Sequence, residues 1–282
     1  MSPMRDFTVR RLTRGELDTV LDWAAAEGWN PGLHDAPCFW AQDPQGFFGA
    51  ELDGRLVGSL AMVRYQGGFA FAGLFLVQAG HRGRGLGRAM TEAAMAHAAG
   101  DCIGLDGVVA QQENYRVQSG AVYAHRNRRY AGLGGGEAPA GLIDLAQVAW
   151  DELLALDTRC FLSPRPDFLR AWIGQPGRRG LAVRHGGRLT GYGVIRPCRA
   201  GFKIGPLFAQ TPEQGRAIFR GLMACAPGQP VQLDAPEPNP AAVAMAEAAG
   251  MDLVFETARM YVGGPRPLPL EWTFGITTYE LG

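Results

Sequence analysis

The sequence predicts two similar α/β (α+β) domains in tandem, and three observations carry that reading. First, "GRLVGSLAMVRY" from Gly54 is echoed by "GRLTGYGVIRPC" from Gly187, 133 positions on (187 − 54). At the same offset Gly68-Phe69 meets Gly201-Phe202, and Leu74-Phe75 meets Leu207-Phe208. An ungapped register over such a span marks an internal repeat. Second, "AGLGGGEAPAG", residues 131–141, is dominated by glycine, alanine and proline, the composition of a linker. Third, 282 residues, 47% hydrophobic and 19% charged, suffice for two ordinary globular domains with their own cores. The expected boundaries are 1–130 and 142–282, joined by 131–141.

Taken in order, Phe7 to Leu12 reads as a short strand. Thr13 caps a following helix, "RGELDTVLDWAAAEG", whose Leu17, Val20, Leu21 and Ala24 share one face. Turn formers then crowd "EGWNPGLHDAPCFWAQDPQG", read as a loop. "FFGAELDGRLVGSLAMVRY" is a hairpin turning at Asp53-Gly54. "FAFAGLFLV" is a further strand, followed by a glycine-rich stretch, the helix "GRAMTEAAMAHAAG", the strand "CIGLDGVV", the short segment "QQENYRVQSG" and a last strand towards Tyr130. The second copy repeats much of this order.

Composition excludes several classes. The formal net charge is zero, which argues against bulk electrostatic binding of nucleic acid or anionic membrane. No apolar run is long enough to span a bilayer. The stretch "MSPMRDFTVRRLTRGELD" is charged where a signal peptide needs an apolar core, so a cytoplasmic location is expected. The five cysteines, Cys38, Cys102, Cys160, Cys198 and Cys225, are scattered, with no pair or histidine at metal-ligand spacing, so neither a metal site nor a disulfide framework is expected.

The chemistry concentrates at "HRGRGLGRAM". A helix N-terminus presents unpaired N–H groups and the positive end of the dipole. Gly83, Gly85 and Gly87 let backbone approach a phosphate closely, and Arg82, Arg84 and Arg88 add charge-assisted bonds. A pyrophosphate suits such a cradle. The Walker pattern fails for want of its lysine, and the dinucleotide pattern fails because its third glycine falls on Arg88 or Met90. At the corresponding place the second copy has "TPEQGRAIF", an ordinary helix start with an acid in it.

Arg82, Gly85 and Gly87 fill the acyl-coenzyme A loop of the GNAT N-acetyltransferase superfamily, and the first domain resembles that family over roughly residues 5 to 130. "FLVQAGHR" resembles the family's fourth strand and "GRAMTEAAMAHAAG" its third helix; Asn114 lies where many members carry an asparagine near the cofactor. The second half resembles a degenerate copy, as in bacterial tandem GNAT proteins. The resemblance implies two GNAT folds, each a mixed, mostly antiparallel twisted sheet flanked by helices. It further implies acetyl-CoA as cosubstrate, held by Leu76, Val77, Arg82, Gly83, Arg84, Gly85, Leu86, Gly87, Arg88 and Asn114, with no metal.

The implied reaction is direct acetyl transfer, in a ternary complex, to a primary amine of a small molecule such as an amino acid, polyamine or amine antibiotic. Acetylation of a protein lysine or N-terminus, or non-catalytic acyl-CoA sensing, are the alternatives. The family's general-acid tyrosine position falls on Ala121 here, leaving Tyr115 and then Tyr123 as the nearest phenols. Glu27, Asp35 and Asp106 are candidate bases. The loop from Glu27 to Phe48 falls where the family builds its acceptor pocket, with Glu27, Trp29 and Asp35 as acceptor-binding candidates and Phe39 and Trp40 as further walls. Asp106 has a counterpart in Asp234, and repetition in a copy without the loop points to a structural role. The second domain is expected to cover the acceptor pocket of the first, and the assembly to be a monomer or homodimer.

Overall fold

The structure, a computed structural model, describes residues 7–282; residues 1–6, part of the stretch read above for targeting, lie outside the described residues. In chain order the first half comprises β1 (Thr8–Arg11), α1 (Arg14–Ala26), α2 (Asp35–Gln42), β2 (Phe47–Leu52), β3 (Arg55–Tyr65), β4 (Phe69–Val77), α3 (Leu86–His97), β5 (Cys102–Val108), α4 (Gln112–Ser119) and β6 (Val122–Leu133). The second comprises β7 (Ile143–Asp144), α5 (Trp150–Phe161), α6 (Pro166–Gly174), β8 (Arg179–His185), β9 (Arg188–Pro197), β10 (Phe202–Ala209), α7 (Pro212–Ala224), β11 (Pro230–Pro236), α8 (Pro240–Ala248), β12 (Asp252–Val262) and β13 (Thr273–Gly275).

Local chemistry explains several of these elements. Thr13 and Glu16 form a reciprocal capping box at the start of α1: the Glu16 amide donates to the Thr13 hydroxyl, and the Thr13 amide donates to the Glu16 carboxylate at 2.8 Å. Asp53 and Gly54 both take the left-handed conformation (φ 52° and 72°), as the two-residue turn between β2 and β3 requires. One element departs from the sequence reading. The turn-rich segment after α1 contains a helix, α2, although its N-cap His34 supplies no capping bond. Tertiary packing makes this helix: Ala36, Cys38 and Phe39 are buried, and the Phe39 ring stacks on Trp172 of α6 at 6.4 Å.

Among the described residues, thirteen strands join one sheet. Its order is β1-β2-β3-β4-β5-β12-β6-β11-β10-β9-β8-β7, with β13 paired to β10. Among the described residues only β4–β5 and β10–β11 pair in parallel; the other ladders are antiparallel. The order is symmetric about the β12–β6 pair, and each half gives its sixth strand to the other. β12 closes the edge of β5, while β6 closes the edge of β11. Equivalent buried ion pairs lock both exchanges. Arg259 on β12 grips Asp106 on β5 through two bonds of 2.8 and 2.6 Å. Arg129 on β6 grips Asp234 on β11 through two bonds of 2.6 and 2.8 Å. The repeated aspartate is thus structural in both halves.

Alternation along the strands builds a layer on each face. Ala61 and Val63 of β3, with Tyr192 and Val194 of β9, join a core shared by α1, α2, α5 and α6. Leu60 and Met62 pack instead with α3, and Ile195 packs with α7 and α8. The α1–α2 and α5–α6 pairs therefore share one core, which binds the two halves together. Among the described residues no helix is long and apolar enough to cross a membrane.

Candidate active site

β4 and β5 run side by side only from Phe69–Ala72 against Cys102–Leu105, then diverge. The ladder between β4 and β3 breaks at the same place: Ala61 faces Gly73 and Ser59 faces Leu76, so Leu74 and Phe75 together oppose Leu60. This is a β-bulge, with Leu74 in the left-handed region at φ 49° and its carbonyl accepting from the Ser59 hydroxyl at 2.8 Å. Splay and bulge open a cleft of about 720 Å³.

One mouth of the cleft is the glycine-rich loop. Gly83 and Gly85 have φ of 75° and 84°, and Gly85 is the N-cap of α3. A Cβ at either position would meet nothing within 4 Å, so backbone conformation, not crowding, requires glycine there. Gly87 is held differently, its Cα facing the Phe75 ring with 3.0 Å left for a Cβ. Gly83, Gly85, Gly87, Arg82 and Arg88 line the cleft, together with Leu76, Val77, Asn114 and Tyr115. Arg84 is exposed outside the cleft lining, and Leu86 is buried in the core beneath α3. Arg82 folds back along the loop, donating to the Val77 carbonyl at 2.9 Å and to Glu27 at 3.2 Å. Asn114 donates to Gln111 at 2.6 Å. The Tyr115 ring packs against Gly107, where a Cβ would come within 2.4 Å of it; burial pushes its phenol above the ordinary value.

Beside the loop, the cleft reaches the residues that follow α1. Glu27 and Trp29 line the cleft, but Asp35 does not. Its carboxylate is fully buried between the halves, accepting from Arg196 at 2.8 and 3.1 Å and from the Gly32 amide at 2.8 Å. A charge so satisfied is a structural anchor. Phe39 and Trp40 are likewise away from the cleft, stacked on Trp172 and Phe47.

Five further lining residues come from the second half: Phe255, Thr257 and Val262 of β12, and Tyr279 and Glu280 of the segment after β13. That segment runs into the splay of the first half. The Tyr65 hydroxyl donates to the Leu281 carbonyl at 2.8 Å, and a Cβ on Gly73 would lie 2.0 Å from the Glu280 carbonyl oxygen. Arg129 organises this wall, its guanidinium 4.7 Å from the Tyr279 ring centre while it donates to the Trp29 carbonyl at 2.8 Å. Tyr279 and Glu280 escaped the sequence reading because "ITTYELG" carries no motif. The one signal available was a tyrosine and an acid side by side after two threonines.

Known proteins with the same architecture set this geometry in context. Residues 15–127 match the acetyltransferase (GNAT) family model, and residues 153–273 match a second acetyltransferase (GNAT) domain model. The chain is 30% identical over 285 residues to holothin acyltransferase of Pseudoalteromonas sp. (strain SANK 73390), spanning 100% of this chain and 97% of that protein. A Pyrococcus horikoshii structure superposes with a TM-score of 0.84 at 20% identity, covering 98% of this chain and 96% of its own. The tandem GNAT protein of the clavulanic acid biosynthesis pathway superposes with a TM-score of 0.61 at 17% identity, covering 93% and 100%.

Proposed function

This chain belongs to the acetyltransferase (GNAT) family and is an acyltransferase of two GNAT domains; from that premise we propose that it moves an acetyl group from acetyl-CoA to the amine of a small molecule with an apolar body. The observation that carries this reading is the course of the cleft. It leads from the loop Arg82–Arg88, through the splay of β4 and β5, to a wall of Trp29, Leu74, Phe255 and Tyr279.

Each stretch of that path has a task in acyl transfer. The N–H groups of the loop and the start of α3, with Arg82 and Arg88, suit the pyrophosphate of acetyl-CoA. The diverging β4 and β5 leave a slot for the pantetheine arm. At the bulge, backbone released from the β3 ladder meets the thioester carbonyl and steadies the charge that develops on its oxygen. Because β12 and the segment after β13 close the far end, the acceptor enters a pocket bounded by both halves. Holding it beside the thioester makes attack effectively intramolecular, in a ternary complex. Glu27 sits at the rim with Arg82, where it meets an incoming ammonium.

The test is thiol release from acetyl-CoA with a panel of amines, alongside calorimetry with acetyl-CoA alone. Small amines with apolar bodies, 2-phenylethylamine among them, should release thiol faster than spermidine, free lysine or a lysine peptide. Preference for the peptide would favour a protein acceptor. Tight acetyl-CoA binding with no release by any amine would mark an acyl-CoA sensor.

A further inference from the structure

Four acids stand around the acceptor end of the cleft or next to it, and three of them are committed to arginines. Glu27 pairs with Arg82, Asp35 with Arg196, and Asp106 with Arg259. Glu280 has no ion pair among the described residues. One of its carboxylate oxygens accepts from the Thr278 hydroxyl, while Oε1 has no hydrogen-bond partner. The residue is only 2% exposed, yet it lines the cleft, its backbone packed on Gly73. Beside it, Tyr279 and Thr257 are also buried and also line the cleft, their hydroxyls turned toward one another. A buried carboxylate oxygen without a partner is costly in a folded protein unless a ligand satisfies it.

Resting on the acyl-transfer reading above, we infer that Glu280 is the general base of the reaction and that Tyr279 and Thr257 hold the acceptor through their hydroxyls. The ammonium first gives a proton to solvent, and the nitrogen lone pair so freed forms the N–C bond at the thioester carbonyl. The C–S bond breaks and its electron pair stays on sulfur. The surplus proton on nitrogen passes to Glu280 Oε1. Sulfur takes a proton from solvent and Glu280 returns one to solvent, so the cycle closes with no other reactant.

The surroundings suit a base. Burial raises the Glu280 carboxyl; Asp35 of α2 adds to that, while Lys203 of β10, Arg129 of β6 and Arg196 of β9 oppose it. A raised acid holds the proton better once nitrogen sheds it. Tyr279 stays protonated, because burial pushes its phenol well above the ordinary value, so it acts as a donor.

Glu280→Gln, Glu280→Asp and Tyr279→Phe in the full chain, assayed with acetyl-CoA and 2-phenylethylamine, decide the matter. Glu280→Gln should lower kcat by roughly 10²–10⁴-fold. Its acetyl-CoA Kd, read by calorimetry, should stay within about twofold, since the pyrophosphate and pantetheine contacts it makes are untouched. In wild type kcat should fall as pH drops through the raised Glu280 value, because only the carboxylate accepts the proton; the glutamine variant should lose that acidic limb. Glu280→Asp keeps the limb but holds its carboxylate one methylene short, losing about tenfold in kcat; it carries the test if the glutamine variant does not fold. Tyr279→Phe should raise the amine KM several-fold. Wild-type kcat and an unchanged acidic limb in Glu280→Gln, or unimpaired Glu280→Asp, would overturn the base assignment while leaving acyl transfer intact. Wild type that binds acetyl-CoA but acetylates no amine would instead overturn the reading beneath it.

Discussion

The pairs β4–β5 and β10–β11 occupy equivalent places in the two halves, and both part after three or four residue pairs. What fills the gap differs. In the first half it is the cleft. In the second, β13 enters, pairing Leu207 with Gly275 and Phe208 with Thr273 on β10. The Ile276 amide donates to the Asp234 carbonyl of β11 at 2.9 Å, and Asn239 holds the Thr273 carbonyl at 2.9 Å. Phe274 is fully buried against Gly215 of α7, where a Cβ would come within 2.8 Å of the ring. The helix starts match this division of labour. α3 begins at a bare, left-handed Gly85, whereas α7 begins at Thr211, Pro212 and Glu213, chemistry that satisfies the helix internally and repels an anion. The same fold is a site when its splay is left open and a brace when the chain plugs it. The plug is also the root of the segment that delivers Tyr279 and Glu280 to the other splay, so closing one site equips the other.

If the second splay is a brace, emptying it should be the most damaging change. Phe274→Ala should cost about 3–5 kcal/mol in denaturant unfolding, and acetyl transfer should fall with it because Tyr279 and Glu280 hang from β13. A loss below about 1 kcal/mol would mean that the plug does not hold the second half together.

The glycines sharpen the comparison. Gly215→Val should cost about 1–3 kcal/mol of stability through its clash with Phe274, while acetyl-CoA Kd stays at the wild-type value. Gly85→Val should do the reverse, weakening acetyl-CoA roughly ten- to a hundredfold, about 1.4–2.7 kcal/mol, with a smaller stability cost from its strained φ. If both variants changed the same property, the two helix starts would not differ in role.

The smallest effects are expected at the rim. The Arg82–Glu27 pair is half exposed, so breaking it should change stability by only about 0–1 kcal/mol. Arg82→Ala should nonetheless weaken acetyl-CoA by about tenfold, a charge-assisted contact's worth, whereas Glu27→Gln should leave acetyl-CoA binding intact and raise the amine KM. Equal effects of the two on acetyl-CoA would make Arg82 a loop tie alone.

Much of this was open to the sequence because its causes are local. The φ requirement of Gly83 and Gly85, the arginines around them and the helix that follows are all specified within a dozen residues. So are the Thr13 capping box and the Asp53-Gly54 turn. The repeat, too, lies in the residues, and it carries the fold class. Asp35 misled because a carboxylate in a polar loop looks alike whether it meets a ligand or an arginine; only Arg196, 161 residues away, decides between them. The helix α2 misled for the same reason, its partner Trp172 lying in the other half.

Tertiary structure alone decided which strand completes which half. Because the halves repeat, β5 and β11 present equivalent edges, each with its aspartate, and β6 and β12 each bring a matching arginine. Nothing in the pattern of a strand says which of two like edges it will join; chain geometry and the shared core of α1, α2, α5 and α6 do. The same holds for the run after β13. Its residues have no period and no motif, so their chemistry emerges only where the backbone leads them, past a plugged splay and into an open one.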